Sequence, residues 1–128
     1  MAEVVVDASA LVDLLLGNEL GAAVATRLVG HALHAPAHVD AEILSAVGRL
    51  HRAGEIDANG VEAMLTTLTA GPIRRHPVTD LLVGAWSRRH QLRLADALYV
   101  ELAASRALPL ITTDGRLHPV PVAEIVVA

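Results

Sequence analysis

The sequence predicts an α/β fold: a three-layer α/β/α sandwich whose middle layer is a parallel sheet of about five short strands. Two features carry this expectation. Short apolar runs alternate along the chain with segments whose apolar residues recur at helical spacing, and that alternation calls for parallel strands with helices on both faces. The first run, Val4-Val5-Val6, shows no polar alternation, as expected of a strand buried on both faces.

Taken in order, the first strand lies within Glu3-Val4-Val5-Val6-Asp7-Ala8-Ser9, and Ser9 is placed to cap a helix begun by Ala10-Leu11-Val12, with Asp7 as the other candidate cap. Gly17-Asn18 stops that helix. A second, Glu19 to Val29, carries Leu20, Ala23, Val24 and Leu28 at helical spacing and ends at Gly30. Ala32 to Ala35, before Pro36, is a short strand. Val39 to Ala53 is a helix with a stripe of Val39, Ile43, Leu44, Val47 and Leu50, in which Asp40 is placed as a cap. Asp57 caps the next helix, which runs to about Ala70. The two form a hairpin with the freedom to stand away from the sheet. Ile73 to Val78 reads as an edge strand, because Pro77 lacks an N–H. Thr79 caps a helix from Asp80 to about His90, and Ala95 to Ala107 forms another. Pro109 to Thr113 and Val120 to Val127 are the last strands.

The 128 residues are expected to form a single domain, 1–128, long enough to bury roughly two-thirds of the surface of its unfolded chain. Charges interrupt every long apolar run, so no window offers the ~18 clean apolar residues of a membrane span. Glu3 leads straight into a strand, unlike a signal peptide. Absent cysteine removes disulfides and thiolate metal sites, and a cytoplasmic protein fits. The net charge of −4 argues against a generic polycation for nucleic acid. Every basic residue is Arg, whose planar fork suits phosphate. Trp86 and Tyr99 are the only large aromatics, too few for a base-stacking platform, and both are expected in the core or at a subunit contact.

Four carboxylates fall at equivalent places. Asp7 follows the first strand, where an open α/β sheet has its ligand crevice. Asp114 follows the strand Leu110-Ile111-Thr112-Thr113 in the same way. Glu42 and Asp96 each sit in the first turn of a helix. Strand ends and the starts of following helices share one rim of a parallel sheet. Four acids there repel unless cations neutralise them or some take up protons. Oxygen-only donors favour a hard cation, Mg²⁺ or Mn²⁺, and such a site suits hydrolysis of a phosphodiester. Each acid also has a structural alternative: Glu42 and Asp96 complement helix dipoles, and Asp114 before Gly115 is good turn chemistry. Asp13, Asp57 and Asp80 read as surface or capping residues. His31, His34 and His38 cluster, but Pro36 interrupts any helix that would align them on zinc. His51 and His90 fall near helix ends, where the dipole or solvent takes them.

The sequence resembles a PIN-domain ribonuclease, specifically a VapC-type toxin of a bacterial toxin–antitoxin pair. The resemblance spans the whole chain. It rests on Val5-Val6-Asp7-Ala8-Ser9, on Glu42, on Leu94-Ala95-Asp96-Ala97-Leu98-Tyr99 and on Leu110-Ile111-Thr112-Thr113-Asp114. It implies a PIN-like sandwich, endonucleolytic RNA cleavage dependent on Mg²⁺ or Mn²⁺, 3′-hydroxyl and 5′-phosphate products, a homodimer, and inhibition by a cognate VapB-type antitoxin. Asp7 and Asp96 would be the principal metal ligands, with Glu42 and Asp114 completing the acidic site. Ser9 and Thr112 would hydrogen-bond the carboxylates. Arg93 and Arg116, beside Asp96 and Asp114, are best placed to meet RNA phosphate, with Arg88 and Arg89 behind them. The first helices, Leu11 to Leu16 and Leu20 to Leu28, carry surplus apolar surface for the antitoxin or the dimer.

Two rivals fail on single residues. A haloacid-dehalogenase-type phosphotransferase needs a second Asp two residues after Asp7, where Ser9 stands. A receiver domain needs a Lys near its last strand, and this chain has none. A non-catalytic PIN-like module that binds RNA or a protein is the remaining alternative, and loss of one of the four acids would have favoured it.

Overall fold

The computed structural model describes residues 1–128. Its centre is a five-stranded, all-parallel sheet in the order β3-β2-β1-β4-β5. The strands are β1 (Ala2–Val6), β2 (His31–Pro36), β3 (Ile73–His76), β4 (Leu110–Thr112) and β5 (Ala123–Ile125). Flanking helices are α1 (Ala8–Leu16), α2 (Glu19–Leu28), α3 (Val39–Arg52), α4 (Ala58–Ala70), α5 (Leu82–Trp86) and α6 (Leu94–Arg106). No single helix is long and apolar enough to cross a membrane.

Val4, Val5 and Val6 are buried as the central strand requires, packed with Leu110 and Ile111 of β4. The register sets Val5 against both His34 and Leu110, and Val6 against Ile111, so β1 and β4 end level with each other. After β1 the chain moves outward through β2 to β3, then returns across the sheet to place β4 on the other side of β1. The strand order therefore reverses between β1 and β4. At such a reversal the loops leave in opposite directions and open a crevice at the carboxyl ends.

Several local expectations need correction. Of the two candidate caps of α1, the structure selects Asp7: its Oδ1 accepts from the Ala10 amide at 3.0 Å. Gly17, at φ +67°, ends that helix in the left-handed region as expected. Asn18 and Asp57 cap α2 and α4 through bonds of 2.7 Å each, to the Gly21 and Gly60 amides. Asp40 does not cap α3; it grips the Arg75 guanidinium of β3, Nε to Oδ2 at 2.6 Å and Nη2 to Oδ1 at 2.9 Å. The helix expected over Asp80 to His90 is a 3₁₀ turn, Val78–Leu81, followed by the five residues of α5. Thr79 makes no cap, and Gly84 lets this segment approach α6 so closely that a β-carbon there would lie 2.1 Å from the Glu101 carboxyl carbon. The last strand is shorter than its apolar run, starting only after Pro121.

The α3–α4 pair does not stand away from the sheet. Ile43 and Val47 of α3 and Met64 and Leu68 of α4 join one continuous core with β1, and α1 packs against both helices. Leu44 leaves the expected stripe and is 57% exposed. The histidine cluster also disperses. His34 is buried, bonded through Nε2 to Glu3 Oε1 and through Nδ1 to His76 Nε2, both at 2.8 Å, while His38 turns to Ala95.

Ile43 is fully buried and Leu44 is not. We expect Ile43→Ala to cost about 3–4 kcal/mol and Leu44→Ala well under about 1 kcal/mol in urea denaturation. Equal costs would contradict this orientation of α3.

Candidate active site

At the carboxyl ends of β1 and β4 the crevice is a cleft of about 330 Å³, and Asp7, Glu42, Asp96 and Asp114 all line it. Each reaches it from a different element. Asp7 ends β1, Asp114 follows β4, and Glu42 and Asp96 project from the first turns of α3 and α6.

Asp7 is 6% exposed. Its three hydrogen-bond partners are neutral: Thr112 Oγ1 donates to Oδ2 at 2.5 Å, Ser9 Oγ to Oδ1 at 2.7 Å, and the Ala10 amide to Oδ1 at 3.0 Å. Each hydroxyl has one proton and gives it to Asp7, so the 3.2 Å contact between Ser9 and Thr112 adds no bond of its own. Thr112 then accepts from the Asp114 amide at 3.0 Å, which ties the loop after β4 to the end of β1. Burial pushes the Asp7 carboxyl up to about 6, against the bonds from Thr112, Ala10 and Ser9 that favour its ionised form.

Glu42 is held by α6. Its Oε1 accepts from the buried Tyr99 hydroxyl at 2.6 Å and lies 3.4 Å from His38 Nε2. Burial, followed by the neighbouring Glu42 carboxylate, pushes the Tyr99 phenol upward, so it stays a proton donor. The His38 ring packs on Tyr99 with centroids 4.8 Å apart, and its Nε2 lies 3.1 Å from the Ala95 carbonyl. That contact assigns the proton to Nε2 and leaves His38 Nδ1 buried without a partner.

The other two acids face cations of the chain itself. Asp96 Oδ2 lies 3.4 Å from Arg93 Nε. Asp114 receives the Arg116 guanidinium, Nε to Oδ1 at 3.0 Å and Nη2 to Oδ2 at 2.6 Å, and these bonds hold its carboxyl below the usual carboxylate range. No three acidic or imidazole groups converge tightly enough to form a ready-made cation cage. The donor set nonetheless fits a hard cation: carboxylates and a hydroxyl face the cleft, with no thiolate and no imidazole. A buried carboxylate with only neutral partners is the local feature that calls for positive charge.

All four acids expected from the sequence thus meet at one cleft. Ser9 lines it, and Thr112 lies just beneath, bonded to Asp7. Arg93 and Arg116 line it as expected; Arg88 and Arg89 do not. Arg88 pairs with Glu101 at 3.1 Å, and Arg89 stacks over Trp86 at 4.8 Å. Trp86 is 57% exposed and so is no core residue. Three lining residues escaped the sequence analysis: Asp13, Arg49 and the role of Tyr99. Each sits on the same helical face as a recognised residue. Asp13 is four beyond Ser9, Arg49 seven beyond Glu42, and Tyr99 three beyond Asp96, a spacing that identifies them. Asp13 accepts from the Thr113 hydroxyl at 2.8 Å.

A parallel α/β sheet with an acidic, oxygen-lined cleft at its strand reversal defines an α/β protein with its site at the strand ends. The PIN domain family model matches residues 4–122. Ribonuclease VapC3 of Mycobacterium tuberculosis is 56% identical over 116 residues, covering 90% of this chain and 85% of that protein. The M. tuberculosis toxin VapC20, described as cleaving the sarcin–ricin loop, superposes with a TM-score of 0.71 at 16% identity over 97% of this chain and 99% of that one. A chain of the M. tuberculosis toxin–antitoxin system VapBC-5 superposes at 0.60 with 22% identity, covering 100% of both. The last two likenesses bear on the fold alone. The chain belongs to the PIN-domain family, among its VapC-type ribonucleases.

Because the folded Asp7 pKa lies above the ordinary 3.8, its protonated form favours the fold. That contribution is fully present below pH 3.8 and lost as pH rises through about 6. In EDTA we expect Asp7→Asn to melt higher than wild type near ~pH 8, by the equivalent of about 1–2 kcal/mol, and no higher near ~pH 4. Calorimetry at the two pH values checks this.

Proposed function

We propose that this chain is the toxin of a toxin–antitoxin pair, an endoribonuclease that hydrolyses RNA phosphodiesters with Mg²⁺ or Mn²⁺ held in the Asp7 cleft. One observation carries the reading: Asp7, buried with neutral partners only, shares a cleft with Glu42, Asp96 and Asp114. VapC3, named a ribonuclease and alike over most of both chains, supports the same activity.

Asp7 and Asp96 are the principal ligands in this reading, and Glu42 and Asp114 complete the set. A bound divalent cation supplies Lewis-acid stabilisation of the phosphate and a water nucleophile at neutral pH. The chain's own residues prepare the site. Ser9 and Thr112 fix both oxygens of Asp7, and Tyr99 commits Glu42 Oε1 to one orientation, which limits the reorganisation left for the reaction. Arg93 and Arg116 lie at the rim as phosphate donors, in the fork geometry that suits non-bridging oxygens. The products are a 3′-hydroxyl and a 5′-phosphate, and the enzyme acts in the cytoplasm.

The partners are RNA, a VapB-type antitoxin and a second copy of the chain. An open, largely apolar groove of about 580 Å³ between α1 and α4, lined by Leu14, Leu15, Leu16, Ile56, Ala63 and Met64, is suited to an antitoxin segment. Exposed Leu82, Val83 and Trp86 suit a homodimer contact.

With total RNA as substrate, cleavage should require Mg²⁺ or Mn²⁺ and stop in EDTA. Asp7→Asn or Asp96→Asn should abolish it with the fold intact by circular dichroism, whereas Tyr99→Phe should slow it by about tenfold. Full activity in either Asn variant would sink the assignment. A second outcome concerns the groove: Ala63→Arg, on an exposed position, should leave cleavage intact yet escape neutralisation when the antitoxin is co-expressed.

A further inference from the structure

Arg116 engages Asp114 more completely than any other cation engages an acid at the cleft. Its guanidinium makes three contacts, Nε to Oδ1 at 3.0 Å, Nε to Oδ2 at 3.1 Å and Nη2 to Oδ2 at 2.6 Å, and its backbone amide donates to Oδ1 at 3.0 Å. Both oxygens of Asp114 are thereby taken by a residue only two places along the chain. Nothing else holds Arg116, whose side chain is 66% exposed. Asp7, across the reversal, has no such cation. Arg49 lines the same cleft and pairs with no acid, which makes it an internal comparison.

We infer that Arg116 is a transferable counter-ion that occupies Asp114 in the metal-free cleft, gives it up to the divalent cation, and then takes a non-bridging oxygen of the RNA phosphate. The inference rests on the cation-dependent reading of the cleft. Its physical basis is competition for lone pairs. A hard cation binds a carboxylate oxygen at ~2.0–2.1 Å for Mg²⁺, along directions that the guanidinium fork already uses. Two positive groups cannot share those oxygens at such range without strong repulsion. Displacement is open to a doubly charged cation because the arginine side of the pair is 66% exposed and its guanidinium regains water on leaving. The freed guanidinium stays tethered at the rim, where phosphate offers the same paired oxygens that Asp114 did. Cation and RNA then help each other: the cation releases the arginine, and RNA keeps it from returning.

Calorimetric titration of the intact protein with Mn²⁺ tests the idea. Arg116→Ala should bind Mn²⁺ about fivefold tighter than wild type, and Arg49→Ala, which removes the same charge from the same cleft, less than about twofold tighter. Equal tightening in the two variants would reduce the effect to net charge and overturn the exchange. So would no tightening in Arg116→Ala. Absence of Mn²⁺ binding by wild type would instead remove the cation-dependent reading, and the inference with it. The Arg116 Nε–H resonance, assigned by its loss in Arg116→Ala, should also shift on saturation with Mg²⁺; an unmoved resonance overturns the displacement.

Discussion

Asp7 accepts hydrogen bonds from the Ser9 and Thr112 hydroxyls and the Ala10 amide at the point where β1 and β4 part, and no side-chain cation reaches it. Three neutral donors stabilise a buried carboxylate only in part, and its carboxyl is accordingly raised to about 6. The site is thus built at the expense of the metal-free fold. A protein selected for stability alone would place an Asn or a hydrophobic residue there. Keeping the acid makes sense if a bound cation supplies the missing charge, and binding then returns as folding free energy what burial withholds.

The sheet order decides where that acid can find company. Because β4 lies beside β1 rather than beyond β3, the carboxyl ends of β1 and β4 face a crevice that no crossover covers. Asp7 and Asp114 reach it as strand ends. Glu42 and Asp96 reach it as the first turns of α3 and α6. Two of these helix starts and strand ends are then locked to one another: Tyr99 of α6 holds Glu42 of α3, and Thr112 of β4 holds Asp7 of β1. The positioning bonds cross between elements that meet only in the folded chain.

That crossing explains what could be seen in the sequence. The parallel sheet was legible because Val4 to Val6 and Leu110 to Ile111 lack polar alternation, while the intervening helices carry 3.6-residue stripes. The four acids were legible because each stands at a point of punctuation, just after a strand or just inside a helix. The residues that hold or accompany them were less so. Tyr99, Asp13 and Arg49 are marked only by distance along a helix from a recognised residue, which matters once the orientation of that helix is known. Leu44 shows the same limit, since a 3.6-residue stripe has soft edges and tertiary packing chose Ile43 and Val47 over it. The segment after Pro77 failed for another reason. Its helix signal is sound in composition, but no side chain caps its start, and the chain there takes a 3₁₀ turn before the five residues of α5.

Charge is the remaining problem for a protein of net charge −4 that must meet RNA. Six of its ten arginines fall into two groups. Arg27, Arg75 and Arg88 pair with Glu124, Asp40 and Glu101 away from the cleft, and these side chains brace neighbouring elements rather than attract phosphate. Arg49, Arg93 and Arg116 line the cleft, and two of them face the very acids that proposed cation binding requires. The metal-free cleft holds five carboxylates, Asp7, Asp13, Glu42, Asp96 and Asp114, against these three arginines, and has little pull on a polyanion. A divalent cation would make the rim less repellent to RNA in two ways, by its own charge and by freeing an arginine from its carboxylate to face phosphate. Bulk net charge says little about such a surface, because the field that RNA meets depends on which positive group the acids hold.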